Sequence, residues 1–153
     1  MYLKTLRAED IEVVILRLAN VYGAGDQGRV IPIFVANALQ NQPLIVYGGG
    51  QVLDLIWIGD VVETLIKAGF SAEPVLEPTN VGSGTTTTIH ELAGRILRLV
   101  RSGAGVPVVP PRGPEVERFQ ADLTRANRVF GLQPQADPLR HLSVVFSPPG
   151  MPG

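Results

Sequence analysis

The chain has 153 residues, a hydrophobic fraction of 45% and a net charge of −1 from 13 basic and 14 acidic side chains. This length suits one domain with a core, and the near-neutral charge gives no long-range attraction toward nucleic acid or an anionic membrane, so neither is expected as a partner. The absence of cysteine excludes disulfides, thiolate metal ligands and a cysteine nucleophile, and because two histidines supply no metal-ligand set, no metal is expected.

The N-terminus and the C-terminus suggest a cytoplasmic globular domain with a short tail. No apolar run approaches the length of a membrane span, and the first ten residues are too charged for a signal peptide, so the predicted location is cytoplasmic. The domain is expected over residues 1–146. Residues 147–153 are rich in proline and glycine and are predicted to be a disordered tail.

Strand and helix patterns alternate along the first half of the chain, which is typical of an α/β fold. Glu12–Leu18 is predicted to be a buried strand because its apolar run is continuous and rich in β-branched residues. Val30–Leu39 is predicted to be a helix, because its apolar residues recur at helical spacing. Leu44–Tyr47 and Leu53–Ile58 read as strands, and the three glycines between them are predicted to form a hairpin turn.

Two longer helices are predicted further along the chain. One is expected to begin at Asp60, whose carboxylate suits an N-cap, and to end at Gly69. The other is expected over residues 89–100. Thr88 suits its N-cap, because its hydroxyl can accept from the N–H of Glu91 while that carboxylate reaches back in a capping box.

The segments around these helices are predicted to be short elements. Thr79–Val81 reads as a strand, and Val106–Pro114 holds four prolines, so it is expected to be extended rather than helical. Asp122 is predicted to cap a short helix that ends at Phe130. A last helix is expected to open at Pro138.

A polar loop closed by glycine, Asn20–Gly23, follows the first predicted strand. In open α/β sheets, ligands bind beyond the carboxyl ends of the strands, so Asn20 and Tyr22 are predicted to lie near a ligand. An asparagine amide can donate to a phosphate and accept from an N–H group at once. The alternative is that Asn20 only shapes the turn, which asparagine does well.

Four segments in chain order carry a family pattern: Leu16–Gly23, Gln51–Val62, Asn80–Leu92 and Pro111–Pro134. They resemble, in turn, the Leu-Arg-x-x-Asn-x-Tyr-Gly, Arg-Asp-Phe-x-Tyr-Val-x-Asp-Val, Asn-x-Gly-x-Gly and C-terminal Arg-Pro-Gly-Asp segments of the extended short-chain dehydrogenase/reductase family, the NAD-dependent epimerases and dehydratases of nucleotide sugars. The resemblance implies the C-terminal half of a Rossmann-like fold with its small substrate-binding subdomain. It also implies NAD as the cofactor of the parent family and a nucleotide sugar as the substrate.

Two elements of that family do not occur in the chain. No glycine-rich loop that could hold the NAD pyrophosphate opens the chain, and the three glycines at 48–50 precede a predicted strand rather than a helix. The family's catalytic Tyr-x-x-x-Lys pair is also missing, since Tyr2 and Lys4 stand two apart. We therefore expect no catalytic residue in this chain and no activity from the chain alone. Another interpretation is a split enzyme, in which the N-terminal half is a separate chain.

The resemblance assigns binding roles to seven positions. They are Asn20 and Arg112 at the diphosphate, Val30, Ile31 and Pro32 beside the nucleotide base, and the backbone of Leu18 and Ala19 beside the nicotinamide. The residues alone also allow blander roles. Without the resemblance, Arg112 is interpreted as a solvated surface side chain. Residues 30–32 equally suit the start of an amphipathic helix, and the side chains at 18 and 19 are expected to pack in the core.

Leu53 is the clearest departure from the family pattern, which usually places an arginine there. Losing one charge-assisted contact costs about 1.5–3 kcal/mol, so diphosphate affinity is expected to be low or the substrate to differ. This departure and the missing half leave a second interpretation open. The chain is then a noncatalytic, diverged or truncated module that binds a sugar nucleotide or another protein.

Overall fold

The structure is a computed structural model that describes residues 12–71, 75–114 and 117–146. The predictions for Tyr2, Lys4 and the tail at 147–153 lie outside the described residues. The elements, in chain order, are β1 Leu16–Leu18, β2 Asn20–Tyr22, α1 Val30–Leu39, β3 Val46–Tyr47, β4 Val52–Trp57, α2 Ile58–Gly69, β5 Thr79–Val81, β6 Thr86–Thr88, α3 Ile89–Val100, β7 Val108–Val109, α4 Thr124–Phe130 and a 3-10 helix Leu142–Phe146.

The strands form three small sheets, and the predicted α/β class is confirmed. β1 pairs with β5 and β3 with β7, both in parallel, while β4 lies between β2, which is parallel to it, and the antiparallel β6. The chain changes sheet at Ala19, whose N–H donates to the carbonyl of Val81 at 2.8 Å. The next residue, Asn20, pairs with Leu55 of β4. Asn20 therefore lies directly beyond the carboxyl end of β1.

The first strand is shorter and more exposed than the predicted buried strand over residues 12–18. β1 has three residues, and the Leu18 side chain is 45% exposed rather than packed in the core. Parallel sheets are normally covered on both faces. Within the described residues only β5 pairs with β1, so one edge of this strand is bare.

The prediction of a hairpin turn at the three glycines was wrong. β3 and β4 flank these glycines but lie in different sheets, because β3 pairs with β7 and β4 pairs with β2 and β6. Gly48 and Gly49 have φ values of +71° and +83°, a backbone conformation that glycine adopts without steric cost. The segment carries the chain from one sheet to the next.

The predicted start of α2 was wrong, and the predicted start of α3 is confirmed. α2 begins at Ile58, two residues before the predicted cap, and the Asp60 carboxylate instead accepts from Arg140 Nη2 at 2.7 and 2.9 Å. The capping box of α3 is present. Thr88 Oγ1 accepts from the Glu91 N–H at 3.1 Å, and Glu91 Oε2 accepts from the Thr88 N–H at 2.7 Å.

The short elements differ in detail from the predictions. α4 begins at Thr124, whose N–H donates to Asp122 Oδ1 at 2.9 Å, so this carboxylate acts from one residue before the N-cap position. Pro138 lies in a turn, and the last helix is the 3-10 helix that follows it. The strand β6 was not predicted, because a run of threonines gives no apolar alternation.

Two apolar clusters form the core. One packs α1 and α3 against β2, β3 and β4, and the other packs α2 and α4 against β5. Side chains at the centre of the first cluster include Tyr22, Phe34, Leu44, Leu92 and Ile96; those of the second include Ile56, Val61, Val81, Ala126 and Phe130. Within the described residues, no helix has both the length and the apolar character of a membrane span.

One face of α2 is apolar and exposed. The helix turns Val61, Thr64 and Ala68 into the core. Beside them are exposed side chains that we call the apolar stripe: Ile58, Val62, Leu65 and Ile66, with Phe70 just after the helix. Phe70 at the end of the stripe is 87% exposed. A row of large apolar side chains of this kind is unusual on a surface that meets only water.

Candidate functional site

A small cavity of about 50 Å³ opens where β2 begins, and we call it the Asn20 cavity. It is lined by residues of β2, the loop after it, the start of α1, and β4: Asn20, Val21, Tyr22, Asp26, Arg29, Val30, Ile31, Leu53 and Leu55. Three of the predicted substrate-binding residues therefore meet in one place. The volume is well below that of a typical ligand pocket, so only one part of a nucleotide-sized ligand can enter it.

Asn20 is held in the cavity wall by the neighbouring strand. Its Nδ2 donates to the backbone carbonyl of Asp54 at 3.1 Å. Within the described part of the chain, its Oδ1 and second Nδ2 hydrogen make no other protein hydrogen bond. The amide is thus oriented by β4 and still able to donate to and accept from a ligand.

Asp54 is a buried carboxylate that the sequence analysis did not single out. It is 0% exposed, and its Oδ1 accepts from Ser83 N at 2.7 Å and from Ser83 Oγ at 2.8 Å. Its Oδ2 accepts from Gly84 N at 3.1 Å and Ala121 N at 3.0 Å. Asp54 therefore joins β4 to the turn after β5 and to the segment before α4. The signal in the sequence was an acid within an otherwise apolar strand. A charge buried in this way needs hydrogen-bond partners, so its position indicates a structural contact.

Two glycines allow the close approaches on which this arrangement depends. A Cβ at Gly23 would lie 2.4 Å from Ile58 Cγ2, so the loop after β2 packs directly against the start of α2. A Cβ at Gly82 would lie 2.8 Å from Asp54 Oδ2 and 2.7 Å from Ala121 Cβ. A larger residue at Gly23 would displace the start of α2, and one at Gly82 would displace Asp54 or Ala121.

Arg29 is a second cavity residue that the sequence analysis did not predict. Its Nε donates to Asp26 Oδ1 at 2.8 Å and its Nη2 donates to the Val21 carbonyl at 2.7 Å. These contacts bridge the two sides of the loop between β2 and α1. The signal for this role in the sequence is weak, since an arginine immediately before an apolar helix is usually a solvated side chain.

The predicted site residue Arg112 lies against a different element. Its Cζ lies 3.7 Å from the centre of the Tyr47 ring, and its Nη2 donates to the Tyr47 hydroxyl at the end of β3. Arg112 and Pro32 are not among the residues that line the Asn20 cavity. Their binding roles, like those of the Leu18 and Ala19 backbone at a nicotinamide, stay predictions.

Tyr22 contributes its ring to the cavity while its hydroxyl is used inside the protein. The hydroxyl donates to the Pro138 carbonyl at 2.7 Å. The ring centre lies 5.5 Å from that of Trp57, which in turn lies 5.1 Å from His141. Burial raises the pKa of Tyr22 to about 12, so this phenol is protonated at neutral pH and is not poised to act as a base.

A wider, open depression of about 380 Å³ lies at the start of α4, and its lining includes Asp122, Thr124 and Asn127. None of the predicted site residues lines it. Hydrogen bonds from Thr124 hold the pKa of the Asp122 carboxyl below its usual range, so this carboxylate serves the helix start. Among the described residues, no group of three or more acidic or histidine side chains could hold a metal ion.

The geometry so far is that of an α/β protein with a candidate ligand site at the carboxyl end of a parallel strand. The model of the NAD dependent epimerase/dehydratase family matches residues 1–82, which is more than half of the chain. The chain belongs to this family.

Individual relatives agree with that assignment. UDP-glucuronic acid decarboxylase 2 of Arabidopsis thaliana is 33% identical over an alignment of 133 residues, and the match covers 84% of this chain and 29% of that protein. An epimerase of Methanothermobacter thermautotrophicus has a similar structure, with a TM-score of 0.85 and 30% identity over 95% of this chain and 45% of its own. The structure of UDP-glucose 4-epimerase of Thermotoga maritima, solved with UDP-glucose, gives a TM-score of 0.83 and 26% identity, and the match covers 95% of this chain and 48% of that protein. The chain thus spans less than half the length of each.

Proposed function

We propose that this chain is the substrate-binding half of an NAD-dependent nucleotide-sugar epimerase, dehydratase or decarboxylase. One observation carries the proposal: Asn20, Val30 and Ile31 line a single cavity beyond the carboxyl end of a parallel strand. Sugar nucleotides of UDP are the proposed ligands, because the decarboxylase and the 4-epimerase to which the chain is similar carry UDP sugars in their names.

The cavity has a polar side at Asn20 and an apolar side at Val30 and Ile31, and we propose a different part of the ligand for each. The Asn20 amide is proposed to donate to a phosphoryl oxygen, since its orientation is fixed by the Asp54 carbonyl. Val30 and Ile31 are proposed to form the wall beside the base or ribose. Because the cavity is smaller than a nucleotide, the remainder of the ligand would lie on the adjoining surface, with Pro32 beside the base and Arg112 at the second phosphate.

The glycine run at 48–50 is not a cradle for the NAD pyrophosphate, because such a cradle needs a helix after the glycines and here the strand β4 follows them. We propose no redox step and no catalytic proton transfer for this chain. Its proposed part is to bind and orient the sugar nucleotide, with NAD and the Tyr-x-x-x-Lys pair supplied elsewhere in the enzyme.

Calorimetric titration of the chain with UDP-glucose and UDP-glucuronic acid tests the proposal. Wild-type chain should bind at least one of them, and Asn20→Ala should weaken binding about tenfold or more, as loss of a hydrogen bond to a charged phosphate predicts. Asn127→Ala is the matched control because Asn127 lines the depression at the start of α4. No binding, or loss of binding with Asn127→Ala alone, would remove the support for this site.

The noncatalytic module is the second candidate function, and Leu53 favours it. This leucine places an apolar side chain in the cavity wall where the resembled pattern has a cation. A neighbouring reading frame that encodes the glycine-rich loop and the Tyr-x-x-x-Lys pair would favour the enzyme half instead. Turnover of a UDP-sugar when the two polypeptides are mixed with NAD would then exclude the module.

A further inference from the structure

In the part of the chain that the structure describes, the lining of the Asn20 cavity has one cationic side chain. Among the described residues that line it, Arg29 is the one cation and Asp26 is the one acid. Leu53 and Leu55 supply apolar wall on β4. A diphosphate that loses water on binding needs a cation or several N–H donors in return. Any anionic ligand in this cavity therefore has Arg29 as its available counter-charge.

The contacts of Arg29 leave its outer edge available. Nε is engaged by Asp26 and one Nη2 hydrogen by the Val21 carbonyl, and no contact within the described residues involves Nη1. The Arg29 side chain is 55% exposed, whereas Asp26 behind it is 12% exposed. Asp26 thus holds the guanidinium from the protein side, and the Nη1–Nη2 edge can present two parallel N–H groups to a phosphate.

The start of α1 adds to the same positive region. Val30 and Ile31 are its first two residues and both line the cavity. α1, which lies wholly within the described residues, has no side-chain cap and no acidic residue in its first turn. The partial positive charge of the helix N-terminus is therefore not offset there by a carboxylate.

We propose that Arg29 binds the diphosphate of the sugar nucleotide, and that it supplies in this chain the charge that Leu53 cannot. The proposal rests on the proposed function, because it names a binding residue of the same site. It also goes beyond that function, since it assigns the discrimination between a nucleotide and an uncharged nucleoside to Arg29. Arg29 is a binding residue here and takes no part in the chemical step.

Parallel titrations with UDP and with uridine test this role. Arg29→Gln should weaken UDP binding by about tenfold or more, as loss of a charge-assisted contact predicts, and change uridine binding less than twofold. Arg29→Lys keeps the charge but loses the fork, so its UDP affinity should lie between those two. Arg128→Gln, an exposed arginine on α4, is the control and should bind UDP as the wild type does.

The outcomes separate this inference from the proposed function. Wild-type chain that binds neither UDP nor uridine overturns both. Binding of both ligands that Arg29→Gln leaves unchanged overturns only the role of Arg29. An equal loss for UDP and uridine assigns Arg29 to loop structure and also overturns its role. If Arg29→Gln does not fold, Arg29→Lys decides, because it can keep the contact with Asp26.

A charge relocation provides a second, independent readout. The double variant Arg29→Gln with Leu53→Arg places a guanidinium on β4 in the same cavity. It should recover at least half of the lost UDP affinity on a logarithmic scale, while uridine binding stays as in the single variant. No recovery in a folded double variant contradicts the idea that the two positions serve one phosphate group.

Discussion

The buried carboxylate of Asp54 gives the most demanding prediction about this fold. Asp54→Asn keeps the size of the side chain and replaces one carboxylate oxygen by an NH2 group. At Oδ2 the NH2 would face the N–H groups of Gly84 and Ala121, and at Oδ1 it would face the Ser83 N–H. Either orientation leaves at least one buried donor opposite another donor.

The expected loss follows from those contacts. Hydrogen bonds to a charged group contribute about 1.5–3 kcal/mol each, and an orphaned buried donor costs about 1–3 kcal/mol. The orientation that costs least retains the Gly84 and Ala121 bonds and lets Ser83 Oγ accept from the amide. We therefore expect Asp54→Asn to lower the free energy of unfolding by about 2–4 kcal/mol, a large share of the roughly 5–15 kcal/mol typical of a domain.

Urea unfolding followed by Trp57 fluorescence measures this loss, because Trp57 is the single tryptophan. It packs between Tyr22 and His141, so it reports on the region around β4. Glu63→Gln is the control. Its carboxylate is exposed and paired with Lys67 at 2.7 Å, and the midpoint should stay close to that of the wild type. Equal midpoints for Asp54→Asn and Glu63→Gln would refute the stabilising role of the Asp54 contacts.

Three further predictions concern titration, capping and the exposed surface. Burial raises the pKa of Tyr22 to about 12, above its ordinary value of 10.0, so the stability that its neutral phenol contributes is full below pH 10 and is lost as pH rises toward 12. Tyr22→Phe should therefore reduce the loss of stability at alkaline pH, and an unchanged loss in urea titrations from pH 7 to 11.5 contradicts this. Thr88→Ala should cost about 1 kcal/mol in thermal melts by removing the capping box, and a melt like that of the wild type would show that the box adds nothing. The apolar stripe is expected to bind a hydrophobic dye and to favour self-association, and Ile66→Glu should lower both without destabilising the chain, because Ile66 is 56% exposed. Unchanged dye binding would show that the dye binds elsewhere than at the apolar stripe.

Local signals in the sequence predicted the elements whose causes are local. The helix Val30–Leu39 and the strand Thr79–Val81 have the predicted bounds, and the capping box at Thr88 is formed as the spacing indicated. These features depend on periodicity and on hydrogen bonds that span three residues. The sequence therefore contained most of the information that sets them.

Features that depend on distant residues could not be predicted in the same way. The local pattern at the three glycines predicts a hairpin, because nothing nearby shows that β3 pairs with β7, where Val46 lies opposite Val108, 62 residues further along the chain. The local pattern at Asp60 predicts a cap, because its partner, Arg140, is 80 residues away. The buried network of Asp54 and the cavity position of Arg29 likewise require the folded arrangement of loops.

A titration of the 15N-labelled chain with UDP-glucose, followed by backbone amide chemical shifts, tests the central claim most directly. We predict the largest shifts at Asn20, Arg29, Val30 and Ile31, which belong to the Asn20 cavity. Residues of the depression at the start of α4, such as Asn127, should stay unshifted. Shifts confined to that depression, or no saturable shift at any UDP-glucose concentration, would contradict the assignment of a sugar-nucleotide site to the Asn20 cavity.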